Sequence, residues 1–265
     1  MTIKLVALDL DDTLLDGKLA VSPRASAAIR QAVAQGVTVT IATGRMYRSA
    51  LPYARQLELD VPLITYNGAL IKSSLSAETF LHQPVERELA GQLLSLCRQH
   101  GWYVQTYMHD ELYVKEMDEY ATYYSRFSGA PATAIGDRLY EAEESPTKIL
   151  VMAAENEIPG IQGTLKSVFG NRLSIVVSKP TFIEITHPLA NKGKALAFLA
   201  DKFGIKQNET MAIGDSGNDV DMLNFAGWGV AMGNASQAVK AVARLETLSN
   251  EADGVAEAIE KYVLK

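Results

Sequence analysis

At both ends of the chain, short apolar runs that stop at acids or glycine alternate with stretches of helical spacing. Residues 3–8 have the pattern of a short buried strand and run straight into Asp9. Ser22-Pro23 is a helix start, with Ser as N-cap and Pro in the first turn. Ala25, Ala28, Ile29, Ala32 and Val33 then keep one helical face until Gly36. Residues 37–42 predict a second strand, the stretch from Thr43-Gly44-Arg45 to about residue 59 a helix, and residues 62–66 a third strand. Strand, helix, strand, helix, strand predicts a parallel sheet with crossover helices. The rhythm returns after Asn191: a helix to residue 203, a strand over 210–213, a helix over about 220–226, a strand over 228–232 and a last helix over about 255–262.

The middle of the chain reads differently. A helix over 86–100 is followed by strands over 102–108 and 112–115 and a helix over 118–127. A strand over 148–153, a helix over 159–169 and strands over 173–177 and 181–186 complete the stretch. Strands joined by short links predict antiparallel pairing. The expected fold is therefore an α/β, Rossmann-like doubly wound parallel-sheet core made of 1–83 and 185–265, interrupted by an α+β insert over 84–184.

Composition narrows the function. The chain has 265 residues and is 48% hydrophobic, enough apolar material to bury a real core. Its 25 Lys+Arg against 31 Asp+Glu give a net charge of −6, so no basic field invites a nucleic acid. One cysteine, Cys97, cannot close a disulfide within the chain, which favours a reducing cytoplasm. Asp9 breaks the first apolar stretch after Leu5-Val6-Ala7-Leu8, too early for a signal peptide, and no run is long enough for a membrane span.

Four loops carry candidate chemistry. Asp9-Leu10-Asp11-Asp12-Thr13 sits where the first strand ends, the edge at which parallel sheets bind ligands. Three carboxylates in four residues repel one another unless a cation or solvent compensates, and a hard divalent ion such as Mg²⁺ takes such oxygens. Thr43-Gly44-Arg45 follows a strand and opens a predicted helix, where backbone N–H groups suit an anion and the Thr hydroxyl adds a donor. Lys192, at a helix start, disfavours the helix dipole and, taken singly, is expected to point into solvent. Gly214-Asp215-Ser216-Gly217-Asn218-Asp219 follows another strand with two more carboxylates and an amide. Together the loops describe an anion-plus-metal site. The glycines of 227–233 lie within a strand and do not make a dinucleotide loop. The four histidines lack metal-ligand spacing, and Cys97 among Leu93, Leu94 and Leu96 reads as a buried small hydrophobe.

The set Asp9-x-Asp11-x-Thr13-Leu14, Thr43-Gly44-Arg45, Lys192-Gly193 and Gly214-Asp215-x-x-Asn218-Asp219 resembles the four motifs of the haloacid dehalogenase superfamily. The layout is similar to its Cof-type sugar-phosphate phosphatases over essentially the whole chain, including Asn67-Gly68-Ala69 and Asp253-Gly254-Val255. Asp12 departs from the glycine that many relatives of that subgroup carry. The position and element order of the insert resemble the C2B type of cap, which the resemblance implies closes over the phosphate site and selects the substrate. The resemblance further implies Asp9 as nucleophile and Asp11 as general acid and base. Mg²⁺ would be held by Asp9, Asp215 and the backbone carbonyl of Asp11. Phosphate oxygens would be gripped by the Leu10 backbone, Thr43, Gly44, Lys192 and Asn218, with Asp219, Thr13 and Arg45 in support. Arg45 could also touch substrate, although a solvated surface place is the plainer expectation. The implied partner is a small phosphorylated metabolite, handled by a monomer or weak homo-oligomer. A phosphosugar mutase of the same cap type and a non-catalytic phospho-aspartate switch are the alternatives.

Overall fold

The computed structural model describes residues 2–76 and 78–264. In chain order, β1 (Leu5–Leu8), α1 (Pro23–Ala34), β2 (Thr38–Ile41), α2 (Tyr47–Gln56), β3 (Pro62–Thr65), β4 (Leu70–Ser73) and β5 (Thr79–His82) come first. The middle holds α3 (Arg87–His100), β6 (Tyr103–Met108), β7 (Glu111–Val114), α4 (Glu119–Ser128), β8 (Ala132–Ala134), β9 (Lys148–Met152), α5 (Ile158–Phe169), β10 (Ser174–Lys179) and β11 (Phe182–Thr186). Last come α6 (Lys192–Lys202), β12 (Thr210–Gly214), α7 (Val220–Phe225), β13 (Trp228–Ala231), α8 (Gln237–Lys240), β14 (Leu245–Glu246) and α9 (Gly254–Tyr262). The chain divides into two compact units, Met1–Leu81 with Asn191–Lys265, and His82–Ala190. Residues 82–83 and 185–190, which the sequence pattern assigns to the core, fall in the second unit, where Ile185 and Thr186 complete β11, paired with β9 and β10.

The first unit is built on a parallel sheet in the order β14-β13-β12-β1-β2. From β1 the chain crosses by α1 to β2, and from β12 it crosses by α7 to β13, in opposite directions along the sheet. Right-handed crossovers therefore place α1 and α7 on opposite faces, which is the doubly wound arrangement. Leu5 and Ala7 of β1 point to the face covered by α6 and α7, where they pack with Leu196, Leu199, Met222 and Leu223. Alternation sends Val6 and Leu8 to the other face. The strand order reverses between β1 and β12, so the ends of those two strands frame the crevice where such sheets bind ligands.

β3 corrects the simple parallel reading. It touches the main sheet through a parallel bridge between Ala42 and Ile64 but pairs antiparallel with β4 in a three-stranded sheet β3-β4-β5. β4 and β5 escaped the sequence pattern because, unlike the equally short β1, their four residues mix apolar with polar ones and lie among further polar residues.

The second unit is a six-stranded sheet in the order β10-β11-β9-β6-β7-β8, antiparallel except for the parallel pair β7 and β8. Its core joins Leu93, Leu94 and Cys97 of α3 and Ile161, Leu165 and Phe169 of α5 to Val104, Ile149, Val151 and Ile183 of the sheet. Cys97 is fully buried there, as its apolar neighbours imply.

Candidate active site

β1 ends by donating the Asp9 N–H to the carbonyl of Ile213, so Asp9 stands between the ends of β12 and β2. The next residues close a turn in which the Leu15 N–H reaches the Leu10 carbonyl. Asp12 occupies its left-handed position, at φ 57°. A side chain costs energy there, and Asp is among the few that tolerate it. The Asn234 amide steadies the turn by donating to the Asp12 carbonyl at 2.8 Å. Thr13 donates its hydroxyl to Oδ1 of Asp215 at 2.9 Å, tying the β1 loop to the β12 loop.

Lys192 is fully buried, contrary to the solvent-facing expectation. Its ammonium donates to Oδ1 of Asp9 at 2.5 Å and to Oδ1 of Asp219 at 2.7 Å. A buried ammonium beside a helix start persists because two carboxylates compensate it. Burial works against the Lys192 charge, but Asp219 and Asp9 outweigh it and hold the group above its ordinary range. Asp219 also accepts the N–H groups of Asp215 and Ser216 on Oδ2, both at 3.0 Å. Gly214 makes this possible: a Cβ there would sit 2.5 Å from Asp219 Cγ. Asp219 is therefore a buried brace with both oxygens engaged.

Oxygens of Asp9, Asp215 and Asp219 lie within 4.8 Å of one another. Lys192 is one cation among these three carboxylates. Burial first, and then the charge of Asp219, push the Asp9 carboxyl well above the usual range. The same two causes push Asp215 up to about 6. Such an excess of hard anionic oxygen suits a divalent cation. Asp9 and Asp215 fit as its ligands, whereas Asp219 is committed to Lys192 and two backbone amides.

The Thr43-Gly44-Arg45 loop is not the start of a helix. α2 begins at Tyr47, and the Thr43 N–H is taken by the Ile64 carbonyl because the Ala42–Ile64 bridge carries the strand pairing one residue past β2. A helix dipole therefore adds nothing at this loop, and the groups it can offer an anion are the Thr43 hydroxyl and the Gly44 backbone. The Thr43 hydroxyl accepts the Arg45 N–H at 3.1 Å. The Arg45 side chain is 11% exposed rather than solvated, and its fork holds both oxygens of Asp11. Burial disfavours the guanidinium charge, and Asp11 more than offsets it. The ring of Tyr53 lies 5.4 Å from the guanidinium carbon.

Asn218 accepts the Ser216 hydroxyl at 2.6 Å and donates its amide to Oδ1 of Asn67 at 3.0 Å. The candidate residues Asp9, Leu10, Asp11, Thr13, Thr43, Gly44, Arg45, Lys192, Asp215, Asn218 and Asp219 all lie in the first unit, in the loops after β1, β2 and β12 or at the start of α6. Asn67 has no role in the loop-by-loop reading. Its signals are an Asn-Gly pair directly after a predicted strand and its place in Asn67-Gly68-Ala69, one of the segments that carry the family resemblance.

A model of the family described as haloacid dehalogenase-like hydrolase matches residues 6–259. A Bacillus subtilis relative, 5-amino-6-(5-phospho-D-ribitylamino)uracil phosphatase YitU, is 32% identical over 262 residues, covering 97% of this chain and 97% of the relative. The crystal structure of a haloacid dehalogenase-like hydrolase from Bacteroides thetaiotaomicron superposes with a TM-score of 0.90 at 30% identity, covering 98% of this chain and 99% of that one. A sugar phosphatase of subclass IIB of the same superfamily superposes with a TM-score of 0.83 at 26% identity, covering 98% of each chain. With fold, motif order and relatives in agreement over nearly its full length, the chain belongs to the haloacid dehalogenase-like hydrolase family and is a phosphoric monoester hydrolase.

Proposed function

We propose that this phosphatase hydrolyses small phosphorylated metabolites, sugar phosphates foremost, with Mg²⁺ and through an aspartyl phosphate on Asp9. The observation that carries the reading is the setting of Asp9: buried at the end of β1, bonded to Lys192, and within reach of the oxygens of Asp215. A carboxylate so placed is held in one orientation, as a nucleophile must be. The named substrate of the Bacillus subtilis relative, a phosphorylated ribitylaminouracil, supports a small metabolite.

In this reading an Asp9 oxygen attacks phosphorus while the bond to the leaving oxygen breaks and Asp11 gives that oxygen a proton. Asp11 then takes a proton from water, the water oxygen bonds to phosphorus, and the Asp9–phosphorus bond breaks to release orthophosphate. The Thr43 hydroxyl, the Gly44 and Leu10 backbone, Lys192 and Asn218 hold the phosphoryl oxygens as charge shifts among them. Mg²⁺ on Asp9, Asp215 and the Asp11 carbonyl would offset the repulsion between carboxylate and phosphate. The insert, 84–184 in the sequence reading, would act as a C2B cap and supply substrate choice in a cytoplasmic monomer or weak homo-oligomer. Among the described residues no helix is long and apolar enough to cross a membrane.

The test is a screen of phosphorylated metabolites together with an aryl phosphate, with and without EDTA, on the native protein and on Asp9→Asn. Phosphate release that needs a divalent cation and falls by several orders of magnitude in a folded Asp9→Asn protein is expected. Near-normal release from folded Asp9→Asn refutes the assigned nucleophile, and transfer of the phosphoryl group without release favours the mutase.

A further inference from the structure

The turn Tyr66–Gly68 joins β3 to β4 with three successive residues in left-handed backbone: Tyr66 at φ 51°, Asn67 at φ 56° and Gly68 at φ 96°. Glycine adopts such angles freely and asparagine with little cost, but a tyrosine there is strained. Strain of this kind persists only where the surroundings over-determine it, and it collects at functional sites. Here the surroundings are the loops that the phosphatase reading assigns to phosphate.

The Tyr66 N–H donates to the Arg45 carbonyl and the Asn67 N–H to the Thr43 carbonyl, both at 3.0 Å. The Asn67 side chain accepts the Asn218 amide at 3.0 Å. Its Oδ1 also lies 2.9 Å from where a Cβ on Gly44 would stand. Gly68 backs onto the Asn191 carbonyl, which a Cβ at residue 68 would approach to 2.4 Å. Asn191 immediately precedes Lys192 and caps α6 by accepting the Lys194 N–H. One three-residue turn therefore touches the Thr43–Arg45 loop, the Asn218 loop and the residue before Lys192. A hairpin that only joined β3 to β4 would require none of these contacts.

We propose that Asn67 is a positioning residue for phosphate, its amide and left-handed backbone fixing the loops of Thr43-Gly44, Asn218 and Lys192 at one spacing. The inference rests on the phosphatase reading above. Asn67 acts through Asn218 and Gly44 rather than on the reacting atoms. Losing its amide leaves the Asn218 side chain held only by the Ser216 hydroxyl among the bonds described above, and keeps the backbone of the turn in place. A misplacement of about 1 Å can cost about a hundredfold in rate, so loosening one phosphate-gripping group is expected to cost about tenfold in catalytic efficiency.

The decisive variant is Asn67→Gly, which suits φ 56° and so removes the side chain without adding strain. The measurements are KM and kcat for 4-nitrophenyl phosphate, inhibition by inorganic phosphate, and the melting temperature. Asn67→Gly is expected to melt within a few degrees of the native protein, with KM and the phosphate inhibition constant each raised about tenfold. Asn67→Asp provides a second reading: it still accepts the Asn218 amide but places a negative charge among the loops. Its KM should rise further, and added salt should partly restore it. Kinetics within about twofold of native in both variants would show that residue 67 only builds the hairpin, and would overturn the inference while leaving the phosphatase reading standing. A native protein that neither hydrolyses the ester nor binds inorganic phosphate would overturn both.

Discussion

Arg45 holds both oxygens of Asp11, with Nε 2.9 Å from Oδ2 and an Nη nitrogen 2.6 Å from Oδ1. The two parallel bonds fix the plane of the carboxylate as well as its position, which a point charge cannot do. Tyr53 backs the guanidinium, so the chain Tyr53, Arg45, Asp11 orients the carboxylate, and one of the two bonds must open for Asp11 to carry the proton it gives in the proposed reaction.

Arg45→Lys is therefore expected to be far from conservative. It keeps a charge but loses the fork, and kcat for an alkyl phosphate should fall about tenfold, short of the roughly 10²–10⁴-fold typical of losing acid–base help outright. An aryl phosphate, whose leaving group needs little protonation, should lose less. Steady-state kinetics on the two esters check this, and equal losses for both would remove Asp11 orientation as the role of Arg45.

Lys192→Met should strip Asp9 and Asp219 of their common partner while roughly keeping the buried volume. Breaking a buried ion pair from one side costs about 3–5 kcal/mol, because the remaining charges stay buried and uncompensated. Urea unfolding without divalent cation should show a loss of that size, and millimolar Mg²⁺ should recover part of it. A loss under about 1 kcal/mol, well below that range, would mean the cluster protonates or hydrates instead.

The cation-free protein should respond to pH through Asp215, whose carboxyl is pushed from 3.8 up to about 6 by burial and by Asp219. A raised carboxyl favours the folded state while it is protonated. This contribution is fully present below the unfolded value of 3.8 and is lost as pH rises through about 6. Mg²⁺ competes with that proton, so its stabilisation should be small near pH 5 and should grow through pH 6 toward pH 7.5. Melting curves with and without Mg²⁺ across that range test the sign. A stabilisation independent of pH would remove Asp215 from the cation site.

Asp12→Gly should be neutral or stabilising by up to about 1 kcal/mol, since it relieves a left-handed side chain at φ 57°. It also removes a charge that raises the neighbouring Asp215. Denaturant midpoints decide it, and a destabilisation beyond 1 kcal/mol would show that the Asp12 side chain supports the turn.

Much of the architecture was legible along the chain because its causes are local. An apolar run stopped by Asp9, a Ser-Pro helix start before α1 and the link between Met108 and Glu111 each fix structure within a few residues, and the parallel flanks and antiparallel middle follow from them. The elements that escaped were too short to show a period, among them β8 with three residues and β14 with two. The candidate site was legible as an inventory but not as an arrangement. Sequence alone identified Asp9 and Asp215 as carboxylates that want a compensating partner and left Lys192 in solvent, whereas tertiary structure decided which partner each received. Lys192 meets Asp9 across 183 residues, Arg45 meets Asp11 across 34, and Asn67 meets Asn218 across 151. Read locally, an ammonium at a helix start belongs in water and an arginine after a strand belongs on the surface. Only the fold, by bringing the ends of β1, β2 and β12 and the start of α6 into one crevice, supplies the carboxylates that compensate the burial of both cations.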